Sequence, residues 1–488
     1  MLIKLNREAP VPLYQQIIDN IILLIEEGSL SFRQTLPSTR ILANQLGLNR
    51  STVCRAYEEL QALGYLSSRR GSYHHVLKKR RETFPSAGQA PSLAWETLVG
   101  GKTRTILAEY LAFKPEKALS PDIKIHVNLA RLDPDPRLFP LQNVRRCASN
   151  ILHSEENRPL GYGEPKGYPP LRRQIAKRMR LHGISATEED ILITNGAQQA
   201  LDLIFRVLGG NHKRIAVEIP SYAQIFPLLR FHGLEPVPVP VRFNGMDLDC
   251  LNHALKEGVR IVYTMPNFQN PTGITTDTGH REKLLNICAR HGALIIEDGF
   301  EEDMKYFGKV PLPIKSMDDR NSVCYIGTFS KALFPGLRIG WIHADFAFIN
   351  YMTALRRFAD LGSSRFLQLL LSDFLEKGYY DLHLRRLHRA YRSRLDLALQ
   401  TLERTFPSSV RWTKPAGGYT FWLTFPRKID QKEFAELTKL SGVLTSFGAY
   451  FYPRFESSAH ARVSIAASVE EEIEDGLTRL GKTLHNYF

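Results

Sequence analysis

The sequence predicts an α/β protein in two parts: a small helical bundle with a β-hairpin, followed by a large, mostly parallel sheet with helices on both faces. Three observations predict it. The first 64 residues hold three apolar-periodic stretches, closed by Gly28, Gly47 and Gly64. From residue 121 onward, short apolar runs alternate with helical patterns, as strands and helices do when a parallel sheet is built. The chain has 488 residues, more than the ~100–200 of a usual domain.

In the first part, Leu13, Ile17, Ile21, Leu24 and Ile25 recur at helical spacing and Gly28 supplies the stop. Pro37 and Ser38 open a second, short helix that Gly47 ends. A third runs from about Asn49 to Leu63, with Val53, Tyr57 and Leu60 on its buried stripe. Tyr65 and Leu66 begin a strand, Arg69, Arg70 and Gly71 make a turn, and Val76 ends a returning strand, giving a wing over the bundle. Residues 1–77 are therefore one domain. Residues 78–120 contain KKRR and PSAGQAPS and read as a linker with a weak helix near Trp95 to Leu111. Residues 121–488 form the second domain, with strands at IAVEI, IVYTM, LIIED and VCYIGTF.

Apolar residues make up 43% and charged residues 23% of the chain, near the values of a soluble globular protein rather than a disordered one. The net charge of +14 makes phosphate contact an expectation. Residues 1–80 carry 11 Lys and Arg against 6 Asp and Glu, so the excess is concentrated there. The five cysteines are scattered with no C-x-x-C pair, so neither zinc nor another metal is expected, and a reducing cytoplasm fits. The start MLIKLNREAPVPLYQQ lacks a signal-peptide core, and no stretch reaches the ~18 apolar residues of a membrane span.

In a helix-turn-helix, the second helix puts its N-terminal residues into the major groove. Here Asn49, Arg50, Ser51, Thr52 and Arg55 occupy that face. Arginine pairs bidentately with guanine, and Ser or Thr bonds phosphate or base edges. Arg40 on the preceding helix and Arg69 and Arg70 on the wing add phosphate contacts. Double-stranded DNA is the expected partner. Over residues 10–76 the sequence resembles the GntR family of bacterial regulators, through VPLYQQI, LPSTRILANQLGLNRSTVCRAYEELQALGYL and RRGS. It departs at Arg33, where that family usually has Gly, and at Tyr73, which replaces a wing Gly.

The second part supplies, in order, what pyridoxal 5′-phosphate chemistry needs: phosphate donors, a ring-oxygen donor, an acid for the pyridine nitrogen and a lysine amine. Gly196, Ala197 and Gln198 lie where a strand gives way to a helix and offer backbone amides to a phosphate. Asn270 sits in NPTG, Asp298 ends LIIED at a carboxyl sheet edge, and GTFSKALFPGLRIGW holds Lys331 and Arg338.

The order GAQ, NPTG, ED, SK, RVS resembles fold-type I aminotransferases over residues 121–488, and with the GntR-like head it resembles the MocR-type subgroup of regulators. That resemblance implies a smaller C-terminal α+β subdomain in the second domain and a homodimer, which a linker of ~45 residues would let pair head-to-tail. It makes Lys331 the Schiff-base lysine, Asp298 the partner of the pyridine nitrogen and Asn270 the donor to the ring oxygen. It also makes Tyr222 the stacking aromatic and Arg338, with Ser330 or Thr328, the phosphate cradle. Tyr162 would reach the partner subunit's phosphate, and Arg462 would hold an effector's carboxylate. The function implied is a transcription regulator that senses pyridoxal phosphate or its amino-acid adduct. The alternative is a working aminotransferase with an accessory DNA-binding domain. Phe300 stands where the family has a tyrosine that donates to the cofactor's ring oxygen, so weak or absent transamination is expected.

Overall fold

The computed structural model describes residues 3, 5–7, 9–68, 73–77, 95–112, 124–153, 160–306, 311–454 and 457–488. The chain divides into two compact units, Met1–Leu98 and Val99–Phe488.

In the first unit, helices α1 (Leu13–Glu26), α2 (Thr39–Leu46) and α3 (Arg50–Ala62) precede the short antiparallel strands β1 (Leu66–Ser67) and β2 (His75–Val76). Ser38 caps α2 by accepting from the Ile41 amide, and Asn49 caps α3 by accepting from the Ser51 amide. Such caps satisfy amides that a helix leaves unpaired. Ile17, Ile21, Leu42, Val53, Tyr57 and Leu60 are buried together. The Tyr57 hydroxyl donates to the Pro37 carbonyl at 3.0 Å, tying α3 to the entry of α2.

Arg33 has φ +62°, a left-handed conformation that costs a residue with a Cβ about 1–2 kcal/mol. Glycine would remove that cost while losing more chain entropy, about 0.5–1 kcal/mol. Arg33→Gly should therefore stabilise the first unit by up to about 1 kcal/mol. Scanning calorimetry of the full chain would register a higher midpoint for that unit's transition. An unchanged or lower midpoint would mean that the arginine side chain offsets its backbone.

The second unit is built on an eight-stranded sheet. Its strands are β4 (Ile191–Thr194), β5 (Arg214–Ile219), β6 (Glu235–Arg242), β7 (Gly245–Met246), β8 (Ile261–Thr264), β9 (Leu294–Asp298), β10 (Val323–Thr328) and β11 (Gly340–His343). Their order is β4-β11-β10-β9-β8-β5-β6-β7. β10, β9, β8, β5 and β6 run parallel, while β11 and the edge strand β7 run against their neighbours. Successive residues face opposite layers. Ile296 joins the core under the helices Ala197–Leu208 and Ile225–His232, while Ile295 joins the core under Leu248–Lys256 and Thr278–Arg290.

The strands β12 (Arg411–Trp412), β13 (Thr420–Asp430), β15 (Ser446–Phe447) and β16 (Ser457–Ser464) form a smaller antiparallel sheet, ordered β12-β13-β16-β15. With the helices Gln431–Ser441 and Glu470–Tyr487 it makes the C-terminal α+β part. β14 (Val443–Leu444) pairs with β3 (Val127–Asn128), stitching this part to the start of the unit. The helix Gly101–Ala112, in the stretch expected to be a linker, packs against Ile225–His232 and belongs to the second unit. Among the described residues, no helix is long and apolar enough to cross a membrane.

Candidate functional site

The start of α3 leaves Asn49, Arg50, Ser51 and Arg55 exposed and Thr52 half-buried, with Arg40 exposed at the start of α2. Three of these side chains are partly committed. The Asn49 Oδ1 accepts from both the amide and the hydroxyl of Ser51 at 3.0 Å, so each serves the cap. The Arg55 guanidinium lies 3.9 Å from the centre of the Tyr14 ring on α1, a cation–π contact. Arg40 and Arg50 present positive charge at the N-terminal ends of α2 and α3, where the helix dipole is also positive. Arg69 and Arg70 lie outside the described residues.

In the second unit the carboxyl ends of β9 and β10 lie side by side, with Asp298 opposite Ile326. Beyond them is a cavity of about 250 Å³. Ala197, Gln198, Tyr222 and Asn270 line it, as do Asp298, Thr328, Ser330, Lys331 and Arg338. Gly196, just before the helix Ala197–Leu208, has φ +87°, and a Cβ there would lie 2.8 Å from the Arg338 guanidinium. That glycine lets the arginine close over the helix N-terminus, where backbone amides and the helix dipole favour an anion. Arg338 is held by the Asn195 carbonyl. The Thr328 and Ser330 hydroxyls are 3.1 Å apart.

Asp298 is 4% exposed. Tyr263 donates to its Oδ2 at 2.8 Å, while Oδ1 is buried with no partner. Burial pushes its carboxyl up to about 6, against the Tyr263 bond, the Phe300 amide and the Lys331 charge. Lys331 donates to the Leu132 carbonyl at 2.9 Å, and burial draws its amine below the usual lysine range. Burial also pushes the Tyr222 hydroxyl up to about 12, so it stays protonated and donates to Gln198 at 3.2 Å.

An adjoining cavity of about 330 Å³ shares Tyr222, Asn270 and Lys331 and adds Arg462. The Arg462 guanidinium donates to Asn270 Oδ1 at 3.0 Å, to the Ala130 carbonyl at 2.8 Å and to the Ser446 hydroxyl at 3.0 Å. Its Nε is buried and unpaired. With its oxygen engaged, Asn270 has its amide nitrogen left to donate. Tyr162 is 87% exposed and is not among the residues lining either cavity.

These residues fit a phosphorylated pyridine. The unpaired Asp298 oxygen suits a ring N–H, and the cradle at Gly196 and Arg338 suits a dianion. Phe300 lines the same cavity and brings no hydroxyl to it. Five contributors escaped the sequence reading: Tyr263, the Leu132 and Ala130 carbonyls, Ser446 and Asn195. Only Tyr263 left a signal, a hydroxyl inside the otherwise apolar run IVYTM one strand from LIIED.

Comparison with known proteins gives both halves a family. Residues 125–480 match the model of aminotransferase class I and II, and residues 13–76 match that of bacterial regulatory proteins of the gntR family. The uncharacterized HTH-type transcriptional regulator YisV of Bacillus subtilis is 31% identical over 480 residues, covering 98% of this chain and 97% of its own. The aromatic-amino-acid aminotransferase 1 of Thermococcus litoralis is 34% identical over 403 residues, covering 81% of this chain and 96% of its own. Among solved structures, α-aminoadipate aminotransferase LysN of Thermus thermophilus, complexed with N-(5′-phosphopyridoxyl)-L-leucine, matches with a TM-score of 0.73 at 29% identity. The match covers 81% of this chain and 99% of that one. The chain therefore belongs to the class I and II aminotransferase family and carries a gntR-family DNA-binding domain at its N-terminal end.

Proposed function

We propose that this protein is a MocR-type transcription regulator whose second unit carries pyridoxal phosphate on Lys331 and answers to that cofactor or to an amino acid joined to it. One observation carries the reading: Lys331, Asp298, Asn270 and Arg338 converge on one cavity, and Arg462 faces Lys331 and Asn270 across the next. Pyridoxal phosphate supplies an aldehyde conjugated to a protonated pyridine ring. Lys331 offers the amine, Asp298 accepts the ring N–H, and Tyr222 covers the ring face. Asn270 donates to the ring oxygen. Arg338, Thr328, Ser330 and the amides at 196–198 take the phosphate, and Arg462 binds the effector's carboxylate.

A homodimer is supported by Tyr351, Leu355 and Phe358, which expose an apolar face on the helix Phe346–Ala359, and by the exposure of Tyr162. Tyr162 then serves the partner's phosphate, and two heads read paired half-sites. Head-to-tail pairing and a cytoplasmic location complete the reading, the latter supported by five unpaired cysteines.

The test is an absorption spectrum of the full chain with pyridoxal phosphate. A visible band is expected, and Lys331→Ala should abolish it; a wild-type chain that stays colourless overturns the reading. DNA binding should weaken as salt rises, and Arg50→Ala should cost about 1–3 kcal/mol of affinity for the operator. An electrophoretic shift unchanged by Arg50→Ala would remove that residue from the interface.

The second reading, an aminotransferase with an added DNA-binding head, is favoured by the 34% identity to the Thermococcus enzyme. Phe300 weighs against it, because a neutral hydrogen bond worth about 0.5–1.5 kcal/mol is missing where the amine's basicity is tuned. Keto-acid formation from a panel of amino acids should be slow or undetectable, and sustained turnover would favour the enzyme.

A further inference from the structure

Glu301 lies three residues past Asp298 and is 1% exposed, yet neither of its carboxyl oxygens has a hydrogen-bond partner. The Tyr419 amide faces it without completing a bond. A carboxyl this deep normally finds donors, because leaving it unpaired is costly. Space has nonetheless been kept for it. A Cβ on Gly418 would sit 2.5 Å from Glu301 Oε2, and Gly418 has φ +68°. The next residue, Tyr419, donates its hydroxyl to the Lys331 carbonyl at 2.6 Å. One strand entry therefore fixes the carboxyl and the lysine backbone together.

Glu301 and Lys331 also share a small cavity of about 20 Å³, room for a single water. It shares Phe300, Thr328 and Lys331 with the cavity of about 250 Å³, and Lys331 lines all three. The other acids on the small cavity are engaged. Asp303 meets Arg178 at 3.5 Å, His182 at 3.3 Å and the Tyr380 hydroxyl at 2.7 Å. Glu302 is bound by Lys305 and Asn267. Besides Lys331, the groups whose charge bears on Glu301 are Arg462 and Asp298, and the Tyr306 and Tyr419 hydroxyls feel its charge in turn. Asp133 also acts on Lys331 through its charge.

We propose that Glu301 is the positioning acid of Lys331, taking a proton from its ammonium and returning it through one water in the cavity they share. The inference rests on the reading that Lys331 carries pyridoxal phosphate. The step is a proton exchange: the ammonium N–H bond breaks, the carboxyl O–H bond forms, and the pair's net charge is unchanged. Its product is a neutral amine able to attack an aldehyde, which an ordinary lysine at neutral pH is not. Burial favours that product on both sides, pushing Glu301 up to about 8 and drawing Lys331 down, while their mutual attraction opposes both.

The test uses the full chain. The visible band formed with pyridoxal phosphate is titrated from acid to alkaline pH, and its rate of appearance is followed after mixing at neutral pH. Glu301→Gln keeps the shape and removes the acid. It should move the titration midpoint down by at least about one unit and slow loading at least about tenfold. Glu301→Asp, which retains a carboxyl, should titrate between the two. If Glu301→Gln does not fold, Gly418→Ala displaces the carboxyl and should give the same downward shift. Wild-type midpoints and loading rates in the folded variants overturn the proposal. A wild-type chain that never develops the band instead overturns the pyridoxal reading and this inference with it.

Discussion

Asp298→Asn should lower the affinity of the full chain for pyridoxal phosphate by at least about 100-fold, measured by equilibrium titration of the absorption band. The carboxylate is buried at the end of β9, with Oδ2 fixed by Tyr263 and Oδ1 left to meet a ring N–H. Asparagine preserves the shape and removes the charge. Breaking one side of a buried ion pair costs about 3–5 kcal/mol, and each 1.4 kcal/mol is tenfold in affinity. The pH dependence has a definite sign. Burial raises the Asp298 carboxyl from its ordinary 3.8 to about 6, so below about pH 6 it is increasingly neutral. Affinity should fall as pH drops, approaching tenfold per unit, and should be flatter in the Asn variant. Stability of the ligand-free chain runs the other way. With its folded value raised, Asp298 holds more protons in the folded state between 3.8 and about 6, so its contribution to stability grows as pH falls through that window. Unchanged affinity in Asp298→Asn would remove the acid from the ring nitrogen.

The main elements were legible in the sequence because local signals and packing agree there. Gly28, Gly47 and Gly64 all have positive φ, and the three apolar stripes they separate form the first unit's core. In LIIED, a run buried on both sides reads as a central parallel strand, and β9 lies between β8 and β10. The positions from Ala197 to Arg338 could be picked out because strand ends and helix starts gather at one sheet edge. What could not be read depends on contacts across long sequence separations. The Leu132 carbonyl meets Lys331, 199 residues on, and a carbonyl has no sequence signature. Asn49 and Ser51 have suitable side chains for DNA, but their spacing also makes a helix cap, and only geometry shows how far the cap engages them.

The other large effect is predicted at Asp135, in a loop where no catalytic motif drew attention. Its side chain is fully buried and accepts from Arg394 at 2.7 Å, from the Arg137 side chain at 2.7 Å and from the Arg137 amide at 3.0 Å. Its own amide donates to the Tyr391 hydroxyl, which in turn donates to the Ala466 carbonyl. Asp135→Ala would strand the buried Arg394, whose other acidic neighbour, Glu470, lies 3.5 Å from Nε. A loss of about 3–5 kcal/mol is expected, read as a lower urea midpoint for the second unit's transition. Burial alone would raise the Asp135 carboxyl, but the Arg137 and Arg394 hydrogen bonds outweigh it and hold it below its ordinary 3.8. A depressed folded value gives stability that is present above the unfolded value and lost as pH falls through the folded one. The wild-type and variant midpoints should therefore converge in strong acid. Replacing Asp135 and Arg394 together with apolar residues should cost less than Asp135→Ala alone, because no unpaired charge is left behind. The same loop carries Leu132 and Asp133 into the cavity around Lys331, so Asp135→Ala should also weaken pyridoxal phosphate binding from outside the cavity. A variant that loses stability but binds the cofactor as the wild type does would separate the loop's structural role from its place at the lysine.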